Sequence, residues 1–280
     1  MTSHGVRFPC YWKARARLAL AAFVLALAGC ASSPAAAFEG DGVHVRHVRV
    51  RVAPSHTQAF EALVERCVQS ARAAGLPRGY HWLFYREPPG RYWLLWFSES
   101  ADGFAVPEEP DPLVGFARHV ADAEGEAARA EIERRLSAIE YEVEWTVLMR
   151  QKATWGTVGE MSTSTHPKAR MMLREVRSGA EEAFDGAVAA RTALLQDHGY
   201  PLPVEGFAIV SGMPGHALQV VFPVDWPSFH ATDSFGAFVR GLDEAAQEEY
   251  ARRKGMLMET MASAEYYDGS VVRELSYGAD

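Results

Sequence analysis

The alternation of apolar and polar residues sets out the first elements of this chain. Val48, Val50 and Val52 alternate with His47, Arg49 and Arg51, the two-residue period of a strand. Phe60, Leu63, Val64, Cys67, Val68 and Ala71 then follow the i, i+3, i+4, i+7 spacing of one helix face, and Gly75 and Pro77 stop that helix. YHWLFY (Tyr80–Tyr85) and RYWLLWF (Arg91–Phe97) read as a hairpin across Pro88-Pro89-Gly90. A helical stretch from Leu113 to about Ile139, broken near Gly125, leads to a last strand around Val143, Trp145 and Val147.

The pattern then recurs. AFEALVERCVQSARAAGLP, from Ala59, matches AFDGAVAARTALLQDHGYPLP, from Ala183. EPPGRYWLLWF matches SGMPGHALQVVF, and LSAIEYEVEWTVLMR matches MASAEYYDGSVVREL, all at offsets near 125 residues. A period this long means duplicated domains rather than a solenoid. The expected divisions are repeat one over 43–150, a linker over 151–168 and repeat two over 169–280.

Each repeat has the strand–helix–strand–strand–helix–strand order of a ferredoxin-like unit, an α+β fold. That topology makes the first and last strands antiparallel neighbours, so Arg49 and Arg51 are expected to meet Glu142 and Glu144 in a cross-strand ladder. The hairpin strand is apolar on both faces, with Tyr92, Leu94 and Trp96 one way and Trp93, Leu95 and Phe97 the other. Its own helices can cover one face. The other repeat must cover the second, which predicts a two-fold barrel within one chain.

With this architecture the chain resembles the dimeric α+β-barrel superfamily, which includes the antibiotic-biosynthesis-type monooxygenases. The most similar piece is WPSFHATDSFGAFVRGL, from Trp226. Members of that superfamily pair two chains, whereas here one chain supplies both halves. The resemblance implies a ligand site between a sheet and its helices. On that basis the pocket candidates are His81, Trp82, Phe84, Tyr92 and Trp96 in the aromatic first repeat, and His230 in the second. The competing reading is that the aromatics fill a core and that His230 sits on the surface beside a helix cap.

The amino terminus changes the picture of location. Arg7, Lys13, Arg15 and Arg17 precede an apolar run from Leu18 to Ala28, too short to span a bilayer as a helix. This predicts a signal peptide over residues 1–29. Leu27-Ala28-Gly29-Cys30 resembles the lipobox of bacterial lipoproteins, which implies lipidation at Cys30, a flexible tether over 30–42 and membrane lipid as a partner. The expected location is the bacterial cell envelope, with the outer membrane facing the periplasm favoured. Losing the leader removes four basic residues and no acidic one, which takes the formal charge from -8 to about -12. Such a surface repels phosphate backbones, so no nucleic-acid partner is expected. There is no CxxC, HExxH, phosphate loop or nucleophile elbow, and no metal or cofactor is expected. Cys67 reads as a small core hydrophobe.

The leading functional expectation is a non-catalytic, lipid-anchored protein that binds a small apolar ligand or an envelope protein. One alternative is a cofactor-independent monooxygenase acting on an aromatic or quinol-type substrate. Another is a structural envelope protein that docks a basic partner.

Overall fold

The computed structural model describes residues 43–75, 82–98, 111–122, 124–157 and 164–277. The leader, Cys30, the tether, Tyr80, His81 and part of the linker lie outside the described residues. Among the described residues, no helix is long and apolar enough to cross a membrane.

The first half runs β1 (His44–Val52), α1 (Thr57–Ala74), β2 (Trp82–Glu87), β3 (Arg91–Ser98), α2 (Pro112–Asp122), α3 (Glu126–Ser137) and β4 (Tyr141–Gln151). The second runs β5 (Lys168–Val176), α4 (Glu181–Asp197), β6 (Val204–Ser211), β7 (His216–Val221), α5 (Phe235–Arg240), α6 (Glu244–Glu259) and β8 (Met261–Val271). The break expected near Gly125 is real. This residue has φ 105°, a conformation that favours glycine, and it separates α2 from α3.

The strands close into one barrel in the order β1-β3-β2-β8-β5-β7-β6-β4. Each half contributes a ferredoxin-like ribbon, β4-β1-β3-β2 or β8-β5-β7-β6. The two ribbons join where β2 pairs with β8 and β6 with β4. At one seam Tyr85 faces Val271, and at the other Met149 faces Ile209. Closure leaves the sheet without free edges, the usual point of non-native pairing.

The two faces of the hairpin separate as the alternation predicts. Tyr92, Leu94 and Trp96 pack beneath α1 with Phe60, Leu63, Val64 and Cys67. Trp93, Leu95 and Phe97 point into the barrel with Val147, Met149, Met171, Phe207 and Ile209, so the barrel core draws on both halves. Contact across the seam is close. A Cβ placed on Gly269 of β8 would lie 2.7 Å from Trp93 Cζ3. Cys67 is buried in the α1 layer, and burial pushes its thiol up to about 12, which keeps it protonated.

The predicted ladder is present at the barrel mouth. Arg51 lies 2.5 Å from Glu144 and 3.6 Å from Glu142, and Arg49 lies 3.2 Å from Glu144. A β-bulge between Arg49 and Val50 shifts the register of β1 against β4 and turns Glu144 toward the arginines. Burial pushes the Glu144 carboxyl up, but hydrogen bonds from Arg91 and Arg51 and the charge of Arg49 outweigh it and hold it below the usual range. Arg49 also forks onto Glu87, whose carboxylate accepts from Trp93 Nε1 at 2.7 Å.

Glu205 on β6 shares the inward face with Phe207 and Ile209, and burial pushes its carboxyl from 4.5 up to about 7. A raised carboxyl costs stability once the unfolded chain can ionise and the folded chain cannot. Stability should therefore fall as pH rises from about 4.5 to 7 and then level off. Glu205→Gln is expected to stabilise the fold by about 2–3 kcal/mol at pH 8 and to change it little at pH 4. Denaturant melts at the two pH values check this, and equal effects at both would place the Glu205 carboxyl in water.

Candidate functional site

The two halves can be superposed residue by residue on their burial. β1 and β5 show the same sequence of buried and exposed positions. Every buried residue of α1, from Phe60 to Ala71, lies 124 positions before a buried residue of α4, from Phe184 to Leu195. Val48 faces Leu94 across β1 and β3, as Met172 faces Gln219 across β5 and β7. This correspondence fixes which residues replace one another beneath the helices. Val50, Cys67 and Leu94 of the first half stand where Arg174, Arg191 and Gln219 stand in the second.

The exchange changes the chemistry of the layer. Arg174 and Arg191 are 3% and 5% exposed, and Gln219 is 1% exposed. Gln219 Oε1 accepts from Arg174 Nη2 at 3.1 Å and from Arg191 Nη2. Its amide nitrogen donates to the carbonyl of Trp155 at 2.8 Å, which fixes the direction of the oxygen. Among the described residues, no carboxylate pairs with either arginine, and Arg191 Nε is buried without an acceptor. Burial, then the neighbouring Arg191 charge, pulls Arg174 down to about 9, and burial likewise lowers Arg191. Two buried guanidiniums sharing one neutral amide are a costly arrangement unless an anion joins them.

These arginines line a cleft of about 230 Å³ between the second half of the sheet and its helices. Met172 and Val221 form the sheet wall, with Tyr250 and Leu257 on α6 opposite. Phe229, Ser234, Phe235 and Gly236 close the top. The closing segment is the piece whose sequence resembles the superfamily. Asp225 caps its first turn, residues Phe229–Asp233 form a π-helical turn, and Ser234 caps α5. Such π turns recur at functional sites. Phe235 lays its ring over the Arg191 guanidinium at 4.9 Å, a cation–π contact. Tyr200 holds the segment down by donating to the Asp233 carbonyl at 2.6 Å.

The pocket candidates fall in different places. Trp82, Phe84, Tyr92 and Trp96 come together in the first-half layer, each at most 2% exposed. Trp82 Nε1 donates to the Leu275 carbonyl at 3.0 Å, and the Tyr92 hydroxyl donates to Glu61 at 2.6 Å. None of the four lines the second-half cleft. His230 lies on the exposed side of the closing segment with its ring stacked on Trp226, while its neighbour Phe229 faces the cleft. His81 lies outside the described residues. Sequence reading missed Arg174, Arg191 and Gln219. The signal was available, because the match of AFEALVERC to AFDGAVAAR sets an arginine on the helix position that Cys67 marks as core.

No protein-family model matches the chain. No curated protein is significantly similar to it. Solved structures are similar in shape. A monooxygenase-like protein of Fusobacterium nucleatum subsp. nucleatum aligns over 83% of this chain and 94% of its own, with TM-score 0.53 and 7% identity. A monooxygenase-like protein of Lactobacillus acidophilus aligns over 84% and 96%, with TM-score 0.51 and 7% identity. An anthrone oxidase-like protein aligns over 84% and 92%, with TM-score 0.51 and 12% identity. Against neighbours so described, the leading expectation of a non-catalytic binding protein does not stand. At these identities the likeness defines architecture, and on that evidence the chain has the dimeric α+β-barrel fold, with both halves of the barrel in one polypeptide.

Proposed function

We propose that this protein is a cofactor-independent monooxygenase that oxidises an aromatic or quinol-type substrate in the second-half cleft. The observation that carries the reading is the pair of buried, carboxylate-free guanidiniums at the inner end of an apolar, aromatic-lidded cleft. Dioxygen reacts readily with electron-rich aromatic anions, and a positive field in a water-poor site favours the ionised form of a phenol or enol. For an anthrone-type substrate the ring methylene becomes a carbonyl. One oxygen atom of dioxygen enters the product, the other leaves as water, and the methylene supplies all the electrons, so no external reductant is needed. Arg174 and Arg191 supply the field, Gln219 orients them, and Phe229 and Phe235 exclude water.

An oxygen electrode tests the reading with anthrone and a series of substituted hydroquinones. Oxygen uptake matched to product, insensitive to a metal chelator and lost in Arg191→Met, is expected. Background uptake across the series would refute it.

The same reading holds that the halves descend from one duplicated unit, which their matching burial supports. It also holds that Cys30 anchors the chain to the envelope, which the lipobox-like Leu27-Ala28-Gly29-Cys30 supports. Retention of Cys30→Ala in salt-washed membranes would remove the anchor from the account.

A further inference from the structure

The lining of the second-half cleft is graded in burial from one end to the other. At its inner end lie Arg174 and Arg191, both buried, with the Nε of Arg191 lacking an acceptor. Nearer solvent lie Met258 and Tyr266, 54% and 63% exposed, and the exposed Lys254, while Arg170, which also lines the cleft, is paired with Asp268. An apolar ligand without charge would leave the guanidiniums uncompensated, and a hydrophilic anion would gain nothing from the methionine and aromatic walls. A ligand matches both ends only if an anionic group enters first and a flat apolar body follows.

We infer that the cleft binds a small aromatic carboxylate, with the carboxylate held between Arg174 and Arg191 and the ring system directed toward Met258 and Tyr266. A carboxylate fits the inner end better than a single phenolate oxygen does. Its two oxygens can each accept from a planar guanidinium fork, whereas a phenolate offers one atom to two forks. Gln219 keeps the two forks side by side through its one shared oxygen. A single carboxylate against two guanidiniums leaves net positive charge, which still favours ionisation of a ring hydroxyl nearby. The volume sets the size, since about 230 Å³ lies below the roughly 300–1,000 Å³ of a drug-sized site and calls for a compact ring system.

This inference names the substrate class of the proposed monooxygenase and so rests on that reading, but its test does not involve oxygen chemistry. Calorimetric titration of the full chain at pH 7 compares 2-naphthoate, methyl 2-naphthoate and 2-naphthol, none of which is a quinol. 2-Naphthoate should bind at least about tenfold more tightly than either neutral probe, because a site built for polar pairing rejects analogues that leave it unpaired. Arg174→Met and Arg191→Met, each confirmed as folded by a cooperative melt, should reduce 2-naphthoate to the level of the ester. Equal binding of acid and ester by the wild-type chain overturns the inference without any variant, and so does undiminished 2-naphthoate binding in both folded variants. Tight, arginine-dependent 2-naphthoate binding in a protein that consumes no oxygen would uphold the carboxylate site and refute the monooxygenase. Oxygen uptake on neutral quinols without preference for the acid would do the reverse.

Discussion

A variant carrying Arg174→Met, Arg191→Met and Gln219→Leu should melt at a higher temperature than the wild-type chain while losing its ligand site. The three residues occupy positions that the first half fills with Val50, Cys67 and Leu94, so the surrounding layer already tolerates an apolar set. Replacing buried ionic groups by apolar side chains of similar volume is often stabilising by about 1–4 kcal/mol. Against this stands the Trp155 carbonyl, which loses the Gln219 amide donor, at a cost of about 1 kcal/mol. In a domain of this size each kcal/mol moves the melting temperature by roughly 2–4 °C, so a rise of a few degrees is expected. Turnover should fall by about 10²-fold or more, the usual consequence of removing fixed charge stabilisation. Stability gained where function is lost marks residues kept for chemistry. A fall in melting temperature would instead identify Arg174, Arg191 and Gln219 as structural.

The second large effect is expected at Trp93. Its ring is fully buried inside the barrel, lies against Gly269 of the other half and packs beside Tyr85 and His47. Its Nε1 also supports Glu87, the carboxylate that holds Arg49. Trp93→Ala should cost about 3–5 kcal/mol through lost burial and the cavity left behind, a drop of roughly 6–20 °C. Because the barrel core is shared, both halves should unfold in one transition of the same sharpness as the wild type. Scanning calorimetry checks this. A second-half transition at the wild-type temperature would mean that the halves fold as separate domains.

Much of the fold is legible in the sequence because it rests on periodicity. The alternation at Val48, Val50 and Val52 and the spacing from Phe60 to Ala71 each mark one buried face, and both faces are buried as read. The doubly apolar strand Arg91–Ser98 carries the strongest information, since only a second covering layer can satisfy it, and a closed barrel provides that layer. The ladder of Arg49 and Arg51 with Glu142 and Glu144 follows from topology alone. Its additional partner, Glu87, depends on where the hairpin turn places a carboxylate, which no local pattern encodes.

The site is legible in part, and for a physical reason. Aromatic density in the first half drew the expectation there, yet Trp82, Phe84, Tyr92 and Trp96 fill their layer with one another and with α1. The cleft lies where the second half departs from the first, at charged residues on positions that periodicity marks as core. A departure of that kind appears only when the two halves are compared position by position, as with Cys67 and Arg191. The segment from Trp226 closes the second-half cleft, while His230 lies on its exposed side.

Two features define the proposed site: the half that holds the ligand and the charge that holds it. A crystal structure of the chain with 2-naphthoate measures both at once. Density beneath the segment from Phe229 to Arg240, with its carboxylate between Arg174 and Arg191, is the predicted result. Density among Trp82, Phe84, Tyr92 and Trp96, or at the barrel mouth beside Arg49 and Glu144, would contradict it.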